Sequence, residues 1–320
     1  MIDPSRALRQ GLLGLGHSDS VRRVVERVPV GRSALRHLVA GEDTAAAVEV
    51  TRELLAGGRL ATISFLGEET ADVAHASRNR DAHLAMLRAL RDEGATRGGA
   101  AELSIKLSAL GRLLPEDGDK IALDNARQIC EAAAAAGTTV TIDMEDRTAV
   151  DPTLQVVRDL RADFPWVGAV LLADLRRTEA DCHDLATPGS RVRLCKGAAW
   201  PQPDAQSYQD IRDVRRSYVR CAKVLLEGAG HPMLATHDAD LIDIARSLAD
   251  KELRAPESFE FQMFFGIRPE EQLRLVHAGV TVRVYVPYGD PRRWYRYAMH
   301  RVAERPADTR FLLRSGTKKG

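Results

Sequence analysis

Short apolar runs rich in β-forming residues alternate with longer, helix-length segments through most of this 320-residue chain. Such short runs are typical of buried strands, and the longer segments show the 3.6-residue apolar spacing of amphipathic helices. Eight strands are predicted, at Leu60–Leu66, Ala101–Leu107, Thr138–Asp143, Val167–Ala173, Arg191–Cys195, Pro232–Thr236, Ser258–Gln262 and Thr281–Val286. Helices are predicted between them, for example at Asp124–Ala136, Asp151–Asp163, Tyr208–Gly228, Leu241–Leu248 and Pro269–Ala278.

Eight strands that alternate with helices predict an α/β fold of the (β/α)₈ barrel type, which typically takes about 250 residues. An open doubly wound sheet is the alternative. The first strand is followed by Leu66-Gly67-Glu68-Glu69, which has one glycine, whereas a dinucleotide-binding sheet would have a glycine-rich turn there. We therefore favour the barrel, with a helical arm at residues 1–58, the barrel at 59–315 and a frayed tail at 316–320.

The composition is that of a folded globular chain, with 28% charged and 44% hydrophobic residues. Its 46 basic and 45 acidic residues nearly cancel, so the charge does not indicate nucleic acid as a partner. Four widely spaced cysteines without a paired histidine motif argue against a metal site and against a disulfide scaffold. No segment approaches the ~20 apolar residues that span a bilayer, so we expect a cytoplasmic protein.

Polar residues interrupt or follow several of the predicted strands. In a parallel barrel, reactive groups gather at the carboxyl ends of the strands, which makes Lys106, Asp143, Arg193, Lys196, His237, Glu260 and Gln262 the first candidates. A buried lysine is costly unless it meets an anion. Lys106 therefore either forms a structural ion pair with Asp143 across the barrel or binds a ligand at its mouth.

The last predicted helix carries a second cluster. It begins at Tyr297, and His300, Arg301 and Glu304 follow that residue by three, four and seven positions. These spacings put the four residues on one helical face. Such a face could close over the barrel, with Arg301 binding a carboxylate. The alternative is a solvated ion-pair face, which is common on single helices.

Several of these segments together resemble the proline dehydrogenase family in its monofunctional bacterial form. The resemblance runs from about residue 20 to Ser315 and rests on Ser104-Ile-Lys-Leu-Ser, Ile142-Asp-Met-Glu-Asp, Arg193-Leu-Cys-Lys-Gly-Ala, Ala235-Thr-His-Asp, Phe259-Glu-Phe-Gln-Met, Arg283-Val-Tyr-Val-Pro-Tyr-Gly and Trp294 to Pro306. It implies a distorted barrel with noncovalent FAD at the strand ends and the final helix over the flavin. It also implies oxidation of L-proline to Δ1-pyrroline-5-carboxylate, with electrons passing to a membrane quinone.

The same resemblance implies roles for individual residues. Cofactor contacts are expected at Leu172, Arg193, Lys196, Gly197, Thr236, His237 and Glu260. Substrate contacts are expected at Lys106, Ala199, Phe264, Tyr285, Tyr297, Arg301 and Glu304, and catalytic roles at Lys106, Asp143 and His300. Positive charge near a flavin stabilises its anionic reduced form, which agrees with the basic residues of this set.

Four positions depart from the family pattern. His300-Arg301 replaces two adjacent arginines, Ala199 replaces a tyrosine, Leu172-Ala-Asp174 replaces Gln-x-Tyr, and Phe264 replaces a leucine. Because these positions face the substrate or the flavin edge, they predict an altered substrate: proline, or a bulkier or N-substituted amino acid. His300 could hold a carboxylate, sense pH or act as an acid or base, or it could only hydrogen-bond Asp143 or Glu304.

Two other functions stay open at this point. One is a non-catalytic relative that binds flavin or an amino acid as a sensor. The other is a barrel lyase or hydrolase in which Lys106 forms a Schiff base. The expected electron acceptor is a quinone or oxygen, and the expected location allows transient association with the inner face of the membrane.

Overall fold

The computed structural model describes residues 37–67, 70–197 and 205–304, without the side chains of Arg292, Arg296 and residues 300–304. Its strands are β1 (Leu60–Leu66), β2 (Ala101–Ile105), β3 (Val140–Ile142), β4 (Gly168–Leu172), β5 (Arg191–Cys195), β6 (His231–Ala235), β7 (Glu260–Phe264) and β8 (Val282–Gly289). Its helices are α1 (Thr44–Ala56), α2 (Val73–Asp92), α3 (Gly118–Ala136), α4 (Val150–Arg161), α5 (Thr178–Leu185), α6 (Ile211–Glu227), α7 (Ala239–Lys251), α8 (Pro269–His277) and α9 (Pro291–Glu304).

The eight strands form a closed parallel barrel in chain order. Each strand pairs with the next, and β8 returns to pair in parallel with β1 from Leu60↔Arg283 to Leu66↔Gly289. The predicted (β/α)₈ barrel is therefore confirmed, and the open sheet is wrong. Closure brings the carboxyl ends of all eight strands to one mouth, where the polar residues identified in the sequence can meet.

The outward faces of the strands bury an apolar layer beneath the helices. Ile63, Leu103, Ile105 and Ile142 are at most 1% exposed in this layer. Helix α3 is rich in alanine, and its buried alanines belong to the same apolar core. This layer holds the strands in register and so fixes the positions of the side chains inside the barrel.

The interior of the barrel is charged, whereas branched apolar side chains usually fill this space. Near the amino ends of the strands, Glu102 and Glu260 are surrounded by Arg191 and Arg283, and all four side chains are at most 11% exposed. We call these four residues the ion-pair layer. Burial raises the pKa of Glu102, but the attraction of Arg191 and Arg283 outweighs it and lowers the pKa to about 2.

A second apolar cluster lies at the mouth of the barrel and seats α9 there. It joins Trp294, Tyr295 and Ala298 of α9 to Leu38, Val39, Leu66 and Ile267. The segment before α1 is also tied to the end of β8, since the amide of Ala40 donates to the carbonyl of Pro287 at 2.9 Å. The final helix therefore packs beside the strand ends, as the resemblance implies.

Residues 37–58, which include helix α1, are the described part of the predicted arm, while residues 1–36 and the predicted tail at 316–320 lie outside the described residues. The boundary between arm and barrel at residue 58 stays a prediction. Within residues 37–67, 70–197 and 205–304, no helix is long and apolar enough to cross a membrane. The same residues contain no group of three or more potential metal ligands.

Candidate active site

Arg193, in the middle of β5, reaches across the barrel and organises the polar groups near the mouth. Its Nε donates to Oε1 of Gln262 at 2.5 Å, and its Nη1 donates to Oγ of Ser104 at 2.9 Å and to Oδ1 of Asp143 at 2.8 Å. Burial lowers the pKa of Arg193, but the nearby Asp143 and Glu102 carboxylates give a net rise. The guanidinium is therefore charged although its side chain is only 4% exposed.

Asp143, directly after β3, links Arg193 to a tyrosine on the far side of the barrel. Its Oδ1 accepts from Ser104 Oγ at 2.7 Å, and its Oδ2 accepts from the Tyr285 hydroxyl at 2.9 Å. The same hydroxyl lies 2.8 Å from Oγ of Ser64. Burial and the charge of Asp143 raise the pKa of Tyr285 well above its ordinary value, so the phenol is neutral and can donate a hydrogen bond.

Lys106 lies one residue beyond β2, and strand alternation puts it on the inward face with Glu102 and Ser104. The expectation of a structural ion pair between Lys106 and Asp143 is wrong, because Asp143 pairs with Arg193 instead. Ser104, two residues earlier, is the inward residue at the level of Asp143. Among the described residues, Lys106 has no hydrogen bond or ion pair, and the residue is half-buried.

Lys196 follows β5 and is held in place by a neighbouring loop. Its Nζ donates to Oδ2 of Asp238 at 3.1 Å, and the same oxygen accepts from Nη1 of Arg215 at 2.8 Å. The next residue, Gly197, has φ of 106°, and a Cβ there would lie 1.9 Å from Oδ1 of Asp174. Only glycine lets the chain turn at this point, so the turn and the lysine are fixed together.

An aromatic cluster joins β6, β7, β8 and α9 at the mouth. Phe264 stacks on His237 with ring centroids 5.4 Å apart and meets Tyr285 and Tyr297 edge to face at 5.6 and 6.3 Å. The Nε2 of His237 accepts from the backbone amide of Phe264 at 2.9 Å, which fixes the ring. Thr236, also predicted, is in the same loop and is 4% exposed. The structure therefore brings these predicted residues together.

Leu172 and Glu260, two of the predicted cofactor contacts, lie at opposite ends of the barrel. Leu172 ends β4 at the mouth and pairs with Cys195 of β5. Glu260 is instead the first residue of β7, 1% exposed, and accepts from Arg283 Nε at 2.8 Å. Its position in the ion-pair layer contradicts a direct cofactor contact. The physical reason is that a parallel strand carries its first residue to the end of the barrel opposite the mouth.

Four predicted site residues cannot be assigned a side-chain position. Ala199 lies outside the described residues, and so do the side chains of His300, Arg301 and Glu304. The backbone of the last three is helical within α9. The face that these three residues are expected to share with Tyr297 stays a prediction.

Sequence reasoning missed the residues that connect the site. Ser64, Ser104 and Glu102 were not identified, and Gln262 was noted without a role. The signal was present, because Thr62 and Ser64 in β1, and Glu102 and Ser104 in β2, alternate with apolar residues. In a closed barrel this alternation predicts inward polar side chains at every second position.

The closed barrel and its cationic mouth define a (β/α)₈ enzyme that can hold an anionic ligand or cofactor. The proline dehydrogenase family model matches residues 47–314. The chain belongs to the proline dehydrogenase family and is a flavin-dependent oxidoreductase. This confirms the family and the enzyme class expected from the motifs, and it contradicts the alternative of a lyase or hydrolase.

Curated relatives agree over most of their length. The chain is 34% identical to proline dehydrogenase 1 of Bacillus subtilis over 288 residues, which cover 90% of this chain and 92% of the relative. It is also 34% identical to proline dehydrogenase of Deinococcus radiodurans, over 88% of this chain and 89% of that protein.

A solved structure shares the fold. Proline utilization A from Bdellovibrio bacteriovorus, inactivated by N-propargylglycine, superposes with a TM-score of 0.79 over 90% of this chain at 22% identity. The chain spans about a third of that larger protein, 34% of its length. This likeness supports the barrel architecture.

The residues at the mouth fit the flavin that the family requires. Nη2 of Arg193 is buried, makes no hydrogen bond within the described residues and lies 3.7 Å from Oε1 of Glu102. The donor set of Arg193, Lys196 and Thr236 combines two cations with a hydroxyl at the ends of β5 and β6. Such a set suits an anionic, oxygen-rich cofactor.

Proposed function

We propose that the chain oxidises L-proline or a bulkier or N-substituted relative, with noncovalent FAD at the mouth of the barrel, and passes the electrons to a quinone. With proline the product is Δ1-pyrroline-5-carboxylate. The observation that carries this proposal is a charged, buried Arg193 that pairs with Asp143, the residue after β3, in a chain of this family. Lys196, just beyond the end of β5, supplies the second cation.

FAD, when bound, would supply the two-electron oxidant for the hydride that leaves the ring carbon beside the amine, and the proton on the amine nitrogen would leave to solvent. The chain supplies binding and orientation. Lys106 is suited to pair with the substrate carboxylate, because it lies one residue beyond β2 without a carboxylate partner among the described residues. Tyr285 donates to Asp143 and forms a wall of the same space. Arg193 keeps positive charge at the site, which favours a reduced, anionic cofactor.

Phe264 supports the broader substrate range. It contacts His237, Tyr285 and Tyr297 at once, so its ring sets the shape of the apolar side of the mouth. An altered pocket of this kind changes discrimination between substrates by about 10-fold or more for each methylene-sized difference. We expect proline, hydroxyproline and N-methylproline to differ in kcat/KM in an order set by this wall.

The range is tested with Phe264→Leu and the matched control Phe265→Leu, whose side chain packs against the barrel core. Phe264→Leu should change the ratio of kcat/KM for N-methylproline and proline about 10-fold, and the control should leave it unchanged. A wild-type enzyme that strongly prefers proline, with a ratio unmoved by Phe264→Leu, would contradict the broader range and leave proline oxidation standing.

The activity is tested by reconstitution with FAD, followed by mass spectrometry of the product. The protein should bind one FAD and convert proline to a product lighter by two hydrogens, with electrons transferred to a soluble quinone. Replacing the quinone by oxygen in a parallel assay identifies the acceptor. Binding of FAD without any product from the three amino acids would favour the non-catalytic alternative.

A further inference from the structure

Gln262, in the middle of β7, connects the ion-pair layer to the site at the mouth. It is 4% exposed. Its Oε1 accepts from Nε of Arg193 at 2.5 Å, and its Nε2 donates to Oε1 of Glu260 at 2.5 Å. Both ends of the amide are therefore used, and each end contacts a charged group.

Glu260 determines which way the Gln262 amide points. An ionised carboxylate can only accept hydrogen bonds, so it must face the amide nitrogen. The amide oxygen then has to face the opposite way, toward Arg193, which can only donate. Glu260 is itself held by Nε of Arg283 at 2.8 Å, so the orientation is set from the ion-pair layer.

This contact completes the restraint on Arg193. Ser104 and Asp143 hold Nη1 from β2 and the end of β3, while Gln262 holds Nε from β7. Contacts from both sides fix the plane of a guanidinium, whereas contacts from one side allow it to pivot. Without Gln262, the charge of Arg193 would lose its fixed position relative to the mouth.

We propose that Gln262 is a positioning residue, which Glu260 orients so that it fixes the Arg193 guanidinium for flavin binding and for tuning the flavin reduction potential. The inference rests on the proposed function, in which Arg193 acts on the flavin. Gln262 acts through Arg193 and needs no contact with substrate. A purely structural role would affect stability and leave the potential of the bound flavin unchanged.

The experiment compares the wild type with Gln262→Met, which keeps the size of the side chain and removes both the acceptor for Arg193 and the donor to Glu260. Loss of one charge-assisted hydrogen bond should raise the Kd for FAD about 10-fold. The midpoint potential, measured by dye equilibration, should become more negative because the positive charge is less well placed. Thr51→Val is the control, since it removes a buried hydrogen bond to the carbonyl of Ala47 within α1, outside the network around Arg193.

Gln262→Glu is the conservative variant. It keeps an oxygen toward Arg193, and its carboxyl group, so close to Glu260, should share a proton with it and add no charge. We expect its Kd for FAD and the midpoint potential of its flavin to be near the wild-type values. This variant also provides a test if Gln262→Met does not fold.

The inference is overturned if Gln262→Met binds FAD and titrates like the wild type, or if Thr51→Val shifts the potential equally. If Gln262→Met does not fold, a Gln262→Glu protein with the potential of free FAD overturns it. A wild type that binds no FAD would overturn the proposed function together with the inference. Failure of the inference alone therefore requires a wild type that binds FAD and is reduced.

Discussion

At the scale of single residues, Gly197 shows how one backbone position controls the site. Its φ of 106° and the 1.9 Å approach of a Cβ to Asp174 exclude any side chain unless the turn moves. Gly197→Ala should therefore weaken FAD binding about 10-fold or more, because Lys196 moves with the turn. Isothermal titration with FAD measures this change.

Gly137 provides the matched control for that prediction. It has φ of 71°, and a Cβ there would meet nothing within 4 Å. Gly137→Ala should cost about 1–2 kcal/mol of stability from the left-handed backbone and leave the Kd for FAD unchanged. Equal loss of FAD binding in both variants would show that Gly197 acts only through general stability.

His83 on α2 predicts a pH dependence of stability. Burial lowers its pKa to about 4, although its Nδ1 contacts the carbonyl of Asn79. The unfolded chain binds this proton near pH 6.5, so the stability from a neutral His83 is complete above that pH and is lost as the pH falls toward 4. Between pH 7 and pH 4.5 the loss is about 2 kcal/mol.

Urea unfolding of the wild type and of His83→Gln at both pH values measures this contribution. The variant cannot titrate at this position, so its free energy of unfolding should fall less than that of the wild type over the same interval. If the free energy of unfolding falls equally in the two proteins, His83 takes up its proton as readily in the folded state as in the unfolded chain.

At the scale of elements, the seating of α9 depends on the apolar cluster at the mouth. Tyr295 is 1% exposed within this cluster. Tyr295→Ala should weaken the packing of α9 by about 3 kcal/mol, so hydrogen exchange should accelerate in α9 more than in the barrel strands. Leu253→Ala is the control, because Leu253 is 91% exposed and its loss should change nothing. Uniform acceleration throughout the barrel would contradict separate seating of α9.

The strands were predictable where apolar runs end sharply. The bounds predicted for β1 and β5 match the structure, whereas β3 is only Val140–Ile142. Thr138 is not part of the strand, because its amide donates to the carbonyl of Ala133 at the end of α3. Helix α3 begins at Gly118, earlier than predicted, after Asp117 adopts φ of 55°. Such capping geometry is set by local contacts that a periodic pattern does not contain.

The sequence predicted which residues lie in the site better than it predicted which of them form hydrogen bonds with each other. Strand ends and motifs identified Arg193, Asp143 and Tyr285, which do lie together. The partner of Asp143 was not predictable, because it depends on the stagger between strands and not on residue type. The same stagger explains why Glu260 lies in the ion-pair layer, away from the mouth.

At the scale of the whole molecule, the net charge of +1 gives no indication that the interior of the barrel is charged. Glu102 is fully buried, and its carboxylate lies 2.8 Å from Arg191. Breaking a buried pair leaves an uncompensated charge, so Glu102→Gln should lower the free energy of unfolding by about 3–5 kcal/mol. Urea denaturation measures this, with the exposed Glu49→Gln as a control that should be unchanged. Equal stability of the two variants would contradict the importance of the layer.

The central claim is that this barrel binds FAD at its mouth and uses it to oxidise a proline-like amino acid. Anaerobic addition of L-proline to the FAD-reconstituted protein, followed by visible spectroscopy, tests it most directly. The reconstituted protein should be yellow, and its flavin absorbance should be bleached by proline, or by a bulkier or N-substituted relative if proline is a poor substrate. A folded protein that stays colourless after reconstitution, or a yellow one that none of these amino acids bleaches, would contradict it.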